Sequence, residues 1–234
     1  DDPQSDPLAD SYITHGRAPG AAEESFLLPW NDLDALESTL QKYGEEVALI
    51  HFEALVCNHF CLMPRPGYLE RIRELCDEYG IVMSIDEVIT GFRLGLDGAQ
   101  GHFGVTPDIA TLGKAVAGGI PFSAVVGKAE ILDQLQQGTV LGPGTFNGYP
   151  LGMRAALATL RILGRNGGAV YREMGDVQDE LMRGLGGIAE RRGLPMRIQG
   201  ARGVFFTMFG LAPDAVAYTG ADLERLDFGL YLKF

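Results

Sequence analysis

Short apolar runs of strand length, separated by amphipathic stretches of helical period, constrain this chain more than any other feature. The runs lie at 47–52, 81–85, 109–112 and 123–127. None alternates apolar with polar residues, which is the pattern of strands covered on both faces. Between the first two, Pro66 opens a helix over 67–79, with Leu69, Ile72, Leu75 and Cys76 on one face and Gly80 in the left-handed stop position. Further helices are expected over 128–136, 150–163 and 169–191, and late strands at 196–199 and 204–209. Strands divided by helices predict an α/β protein with a mainly parallel central sheet flanked by helices. Ligands of such sheets sit beyond the carboxyl ends of the strands. That rule singles out Glu53 to Asn58, Asp86 to Arg93 and Gly113 to Gly119.

Outside these elements, residues 1–28 lack a sustained period and read as a loop or surface arm, and Asn31 reads as the N-cap of a helix running to Tyr43. With 234 residues and 46% apolar side chains, the chain can bury a core without disulfides or metal. A net charge of −12 argues against a nucleic-acid or anionic-membrane surface. No apolar run is long enough to span a bilayer, and 1–7 has no signal-peptide pattern. Cys57, Cys61 and Cys76 read as buried free thiols in a reducing cytoplasm, with no spacing suited to a metal site. The chain does not start with Met, and it stops inside an amphipathic pattern. Both ends are therefore expected to be incomplete.

Two residues carry the chemistry. Asp86 ends an apolar strand, where a carboxylate needs a cation or a strong donor; capping of the next turn would also explain it. Lys114 follows another strand end and precedes Ala115-Val116-Ala117-Gly118-Gly119. Desolvation there would free its lone pair for attack on a carbonyl, although a lysine snorkelling from a strand end fits the same letters. Taken together, an acid and a nucleophilic amine on neighbouring strand ends suit pyridoxal 5′-phosphate. The amine forms a Schiff base with its aldehyde, and the acid keeps the pyridine nitrogen protonated.

Three segments then resemble one family in order. Ser84-Ile85-Asp86-Glu87-Val88-Ile89-Thr90-Gly91-Phe92-Arg93, Pro107-Asp108-Ile109-Ala110-Thr111-Leu112-Gly113-Lys114 with Gly118-Gly119-Ile120-Pro121, and Gly144-Thr145-Phe146-Asn147-Gly148-Tyr149-Pro150 are similar to segments of class III (ω-type) aminotransferases. The likeness runs from about Pro29 to about Leu163 and is nearest the glutamate-1-semialdehyde aminomutase-like branch. It implies fold type I of the pyridoxal-phosphate-dependent transferases. It also implies residue roles. Lys114 holds the cofactor and shuttles the substrate proton. Asp86 pairs with the pyridine nitrogen, and Val88, two residues on in an extended segment, packs on the ring. Thr145 binds the cofactor phosphate of the neighbouring subunit, which makes a homodimer with shared sites. Glu53 matches the acid of the family's "EP" pair, and Asn58 matches a polar residue near the ring's phenolic oxygen; hydrogen bonding at one remove is the alternative for both. Arg93 and His102 read as structural. Ala54 and Cys57 depart from the family's usual Pro and Gly.

The phosphate-binding "G-[ST]-E-A" loop and the "YHG-x-H" segment are not found. Gly20-Ala21-Ala22-Glu23 and His15-Gly16 only echo them. Residues 1–163 are expected to form part of the large cofactor-binding domain, and 164–234 the start of a smaller α+β domain. The implied reaction moves an amino group from an amine or amino-acid donor to a carbonyl acceptor in two half-reactions. An intramolecular aminomutase or an epimerase would use the same lysine, and a non-catalytic module of this fold is a third reading. Apolar Phe60, Leu62 and Met63 are candidates to line a pocket for a bulky amine.

Overall fold

The structure, a computed structural model, describes residues 24–231 and 233. Most of the expected N-terminal arm, with His15-Gly16 and 20–23, lies outside the described residues. Strands β1 (Leu49–Phe52), β2 (Val82–Glu87), β3 (Ile109–Leu112) and β4 (Ala124–Gly127) form one sheet in the order β1-β2-β3-β4. The first three run parallel and β4 is antiparallel to β3. The reason is length. Between β3 and β4 the chain has only a 3-10 turn, Lys114–Ala117, and cannot make the crossover that a parallel strand requires.

Helix α1 (Leu33–Tyr43) precedes β1, and α2 (Tyr68–Tyr79) is the crossover to β2. Leu69, Ile72, Leu75 and Cys76 of α2 are buried against Met83 and Ile85 of β2, as the helical spacing predicts. Each such side chain contributes roughly 1.5–3 kcal/mol by leaving water. The cap of α1 differs from expectation. Asp32 accepts from the Ala35 N–H at 2.9 Å, so it and not Asn31 is the N-cap. Asn31 has φ 65° and reaches the other way, donating to the Met63 and Tyr218 carbonyls at 2.8 and 2.7 Å.

Helix α3 (Gly98–Phe103), absent from the sequence reading, follows β2. Helices α4 (Ala129–Gln136), α5 (Pro150–Leu163) and α6 (Ala169–Arg191) come where their periodicity predicts. Strands β5 (Met196–Ala201) and β6 (Val204–Phe209) pair antiparallel in a second sheet, followed by α7 (Gly220–Leu223) and α8 (Phe228–Tyr231). That sheet is not isolated from the rest. Ala201 joins the main core, and Leu62 of the large sheet's loop packs with Met208, Leu211 and Leu226.

Alternation along β2 gives the large sheet two unlike faces. Met83, Ile85 and Glu87 are buried on the helix-covered side. Ser84 and Asp86 point to the other, where the His51 ring nitrogen Nδ1 lies 3.0 Å from Ser84 Oγ. By strand register Leu49 and Val125 share this second face, and they are 48% and 56% exposed. Among the described residues no helix is long and apolar enough to cross a membrane.

Candidate active site

The candidate site is built where β1, β2 and β3 end. Asp86 is the register partner of Thr111, so their side chains share the open face. Gly113 comes two residues after Thr111, and Lys114 follows it. Asp86 is half-buried, and its Oδ1 accepts from the Val88 N–H at 2.8 Å. Among the described residues no hydrogen bond engages its second oxygen. Val88 starts a turn and does not continue the strand, so alternation does not place it. Contact does: a Cβ on Gly113 would lie 3.3 Å from Val88 Cγ1. Glycine at 113 therefore lets the backbone before Lys114 pass close to Val88, where a Cβ would crowd it.

Lys114 is exposed among the described residues, which do not enclose it. Its φ of 43° is uncommon for a residue with a Cβ. Held strain of this kind concentrates at functional positions. The first carboxyl oxygen of Glu53 accepts from Asn58 Nδ2 at 2.8 Å, and the second accepts from the Cys57 N–H at 3.0 Å. Glu53 thus braces the loop that displays Asn58, which is exposed. Thr145 is exposed in the turn before α5, and among the described residues no contact joins it to Asp86, Val88 or Lys114. A cavity of about 1060 Å³ beside Trp30, Asn31 and Arg65 is lined by none of the six.

Other expectations resolve simply. Arg93 donates to the Ile89 carbonyl at 2.8 Å, and His102 packs edge-on against Phe103. Cys57, Cys61 and Cys76 are free and buried. Leu62 is buried yet lines the cavity beside Trp30 and Arg65, while Phe60 and Met63 are only partly buried. Glu87 was missed from sequence. It is wholly buried and accepts from Thr90 Oγ1 (2.5 Å), the Ala99 N–H (2.8 Å) and the Gln100 N–H (2.9 Å). The only sequence signal was an acid beside Asp86, with opposite parity on the strand.

An acid and an amine on adjacent parallel strand ends, with glycine at 113, fit a group that offers a basic ring nitrogen at one end and an aldehyde at the other. The fold is that of fold type I pyridoxal-phosphate-dependent transferases. The model of the family described as aminotransferase class-III matches residues 19–217, and the chain belongs to that family, whose cofactor is pyridoxal 5′-phosphate. Among solved structures it is similar to an omega-transaminase from Sphaerobacter thermophilus (30% identity, TM-score 0.77, 87% of this chain and 46% of that one). It is also similar to a glutamate-1-semialdehyde-aminomutase from Pseudomonas aeruginosa PAO1 (28%, 0.72, 87% and 46%). A third is a β-phenylalanine aminotransferase from Variovorax paradoxus (25%, 0.75, 88% and 47%). The chain spans about half the length of the structures it matches.

Proposed function

We propose that the whole protein is a pyridoxal-phosphate-dependent aminotransferase, moving an amino group from an amine or amino-acid donor to a carbonyl acceptor at one site. The observation that carries this reading is the placement of Asp86 and Lys114 at the ends of adjacent parallel strands. When bound, the cofactor serves as a sink for the electron pair left when the substrate C–H bond breaks. Everything else falls to the chain. The Lys114 amine would hold the cofactor and would take and return the substrate proton. The Asp86 carboxylate, oriented by the Val88 N–H, would keep a proton on the ring nitrogen. Val88, beside Gly113, would pack against the ring. Asn58 has one amide hydrogen on Glu53 and a second to offer the ring oxygen.

Thr145 is proposed to hold the cofactor phosphate of a second subunit, in a homodimer with shared sites. Exposure of Thr145 between apolar Leu141 (83% exposed) and Phe146 (76%) supports a partner there. A cytoplasmic location is supported by the three free, buried thiols. A large domain over 1–163 and a smaller one from 164 is supported by the second sheet, β5–β6.

Full-length protein loaded with cofactor should show a visible absorption band and, after borohydride reduction, a label on the peptide containing Lys114. Lys114→Ala should lose both label and turnover; turnover unchanged in that variant would remove the mechanism. The aminomutase reading draws on the 28% likeness to an aminomutase. It predicts product without any external amino donor, whereas the transferase needs both substrates.

A further inference from the structure

We infer that Gln199 is a positioning residue for the cofactor-side loop: from β5 it holds the strained turn that displays Asn58. The inference rests on the reading of Asn58 as a cofactor neighbour. The loop leaves β1, is closed by an antiparallel bridge between Val56 and Leu62, and contains two consecutive residues in the left-handed region, Phe60 (φ 56°) and Cys61 (φ 55°). Neither is glycine. Residues with a Cβ stay in that region only where their surroundings over-determine it. At one end Glu53 holds the Cys57 N–H and the Asn58 amide. At the other end the Cys61 carbonyl needs a donor, and no neighbour in sequence supplies it.

Gln199 does. It is 2% exposed, and its Nε2 donates to the Cys61 carbonyl at 2.8 Å and to the Ala217 carbonyl at 2.9 Å. Its Oε1 accepts from the Ala217 N–H at 2.9 Å. This pattern admits one orientation of the amide. Flipped, it would set oxygen against two carbonyls and N–H against N–H. Ala217 in turn accepts from the Met63 N–H at 3.4 Å, and the Phe60 ring meets Phe206 of β6 edge-on at 5.5 Å. The second sheet therefore clamps the loop at Cys61 and Phe60, and Ala217, beyond β6, clamps it at Met63. Asn58 lies between this clamp and Glu53. If the clamp opens, the left-handed pair relaxes, and Asn58, two residues before Phe60, is freed at that end.

The test uses the full-length protein with Gln199→Met, Asn58→Ala and the double variant. Cofactor dissociation constants, amide exchange of the apoprotein and apoprotein thermal midpoints are measured. Gln199→Met removes every hydrogen bond at nearly constant volume. Each single variant is expected to weaken cofactor binding about tenfold, the scale of one lost hydrogen bond. The double variant should be no weaker than Asn58→Ala alone, because both changes remove the same contact. Exchange at the Val56 and Leu62 amides should quicken about tenfold in the Gln199→Met apoprotein. If Gln199→Met does not fold, Gln199→Asn, which keeps the amide but shortens its reach, carries the same comparison. Effects that multiply in the double variant, or a lowered thermal midpoint with cofactor affinity unchanged, overturn the inference. Wild-type protein that binds no cofactor overturns the functional reading along with it. Wild-type protein that binds while Asn58→Ala binds equally well overturns this inference alone.

Discussion

Two adjacent carboxylates, Asp86 and Glu87, leave β2 on opposite faces and are put to opposite uses. Asp86 keeps an oxygen toward the open face, while Glu87 spends both oxygens inside the protein on Thr90, Ala99 and Gln100. Every partner of Glu87 is a donor, so the site requires a group that only accepts. Glu87→Gln must turn an NH₂ toward one of those donors. The variant should lose about 1–3 kcal/mol of stability, the cost of a buried group left unsatisfied, measured by urea denaturation. A loss below about 0.5 kcal/mol would mean that the pocket admits water or rearranges. Asp86 and Lys114 were legible in the sequence because each breaks an apolar pattern at a strand end. Glu87 was not, because its donors are backbone N–H groups of a helix that the sequence pattern did not reveal.

Helix α3 shows why short elements escape a periodicity search. Six residues, Gly98–Phe103, are too few for an amphipathic repeat, and what starts the helix is the Glu87 carboxylate. Gly98 makes room for it: φ is 63°, and a Cβ would sit 2.6 Å from both Glu87 oxygens. Gly98→Ala should cost on the order of 1–3 kcal/mol through backbone strain and displacement of the carboxylate, read from the denaturation midpoint. The same variant in a Glu87→Ala background should cost less, since the clash is then gone and only the backbone strain remains. At α1 the cap is Asp32, and Asp32→Ala should cost about 1 kcal/mol, while Asn31→Ala should instead loosen the Met63–Tyr218 connection. The sequence pattern put the cap at Asn31. Only the position of Met63 and Tyr218 decides that Asn31 turns away.

Asp108 ties the molecule together below the sheet, opposite the candidate site. It is buried and accepts from the Met83 N–H (2.7 Å), from Arg73 of α2 (2.9 Å) and from Lys128 just before α4 (2.7 Å). Burial alone would raise its pKa. The Lys128 ammonium, the Met83 N–H and the Arg73 guanidinium together outweigh burial and hold the carboxyl below the usual range. Below the ordinary aspartate value of about 3.9, the unfolded chain therefore binds a proton that the folded chain does not. The stabilisation is complete above that value and is lost as pH falls through the lower folded value. Denaturation at a series of acid pH values should show this loss. Asp108→Asn should be less stable at neutral pH and should show a shallower decline in acid, and an unchanged slope would remove Asp108 as a source. At this scale the parallel strand order was legible from apolar runs. The antiparallel direction of β4 was not read from the sequence; the short 113–123 connection explains it once the structure is seen.

The sequence by itself determined the strands, the long helices and the position of Asp86 and Lys114 at strand ends, because apolar periodicity is local and survives without partners. Only the tertiary structure decided which carboxylate faces the open side, that Lys114 is exposed within this chain, and that Gln199 and Asn31 hold the loop that carries Asn58. Those outcomes depend on contacts between residues far apart in the chain. Whether a buried amide or carboxylate finds its donors is settled by packing, which no local pattern encodes.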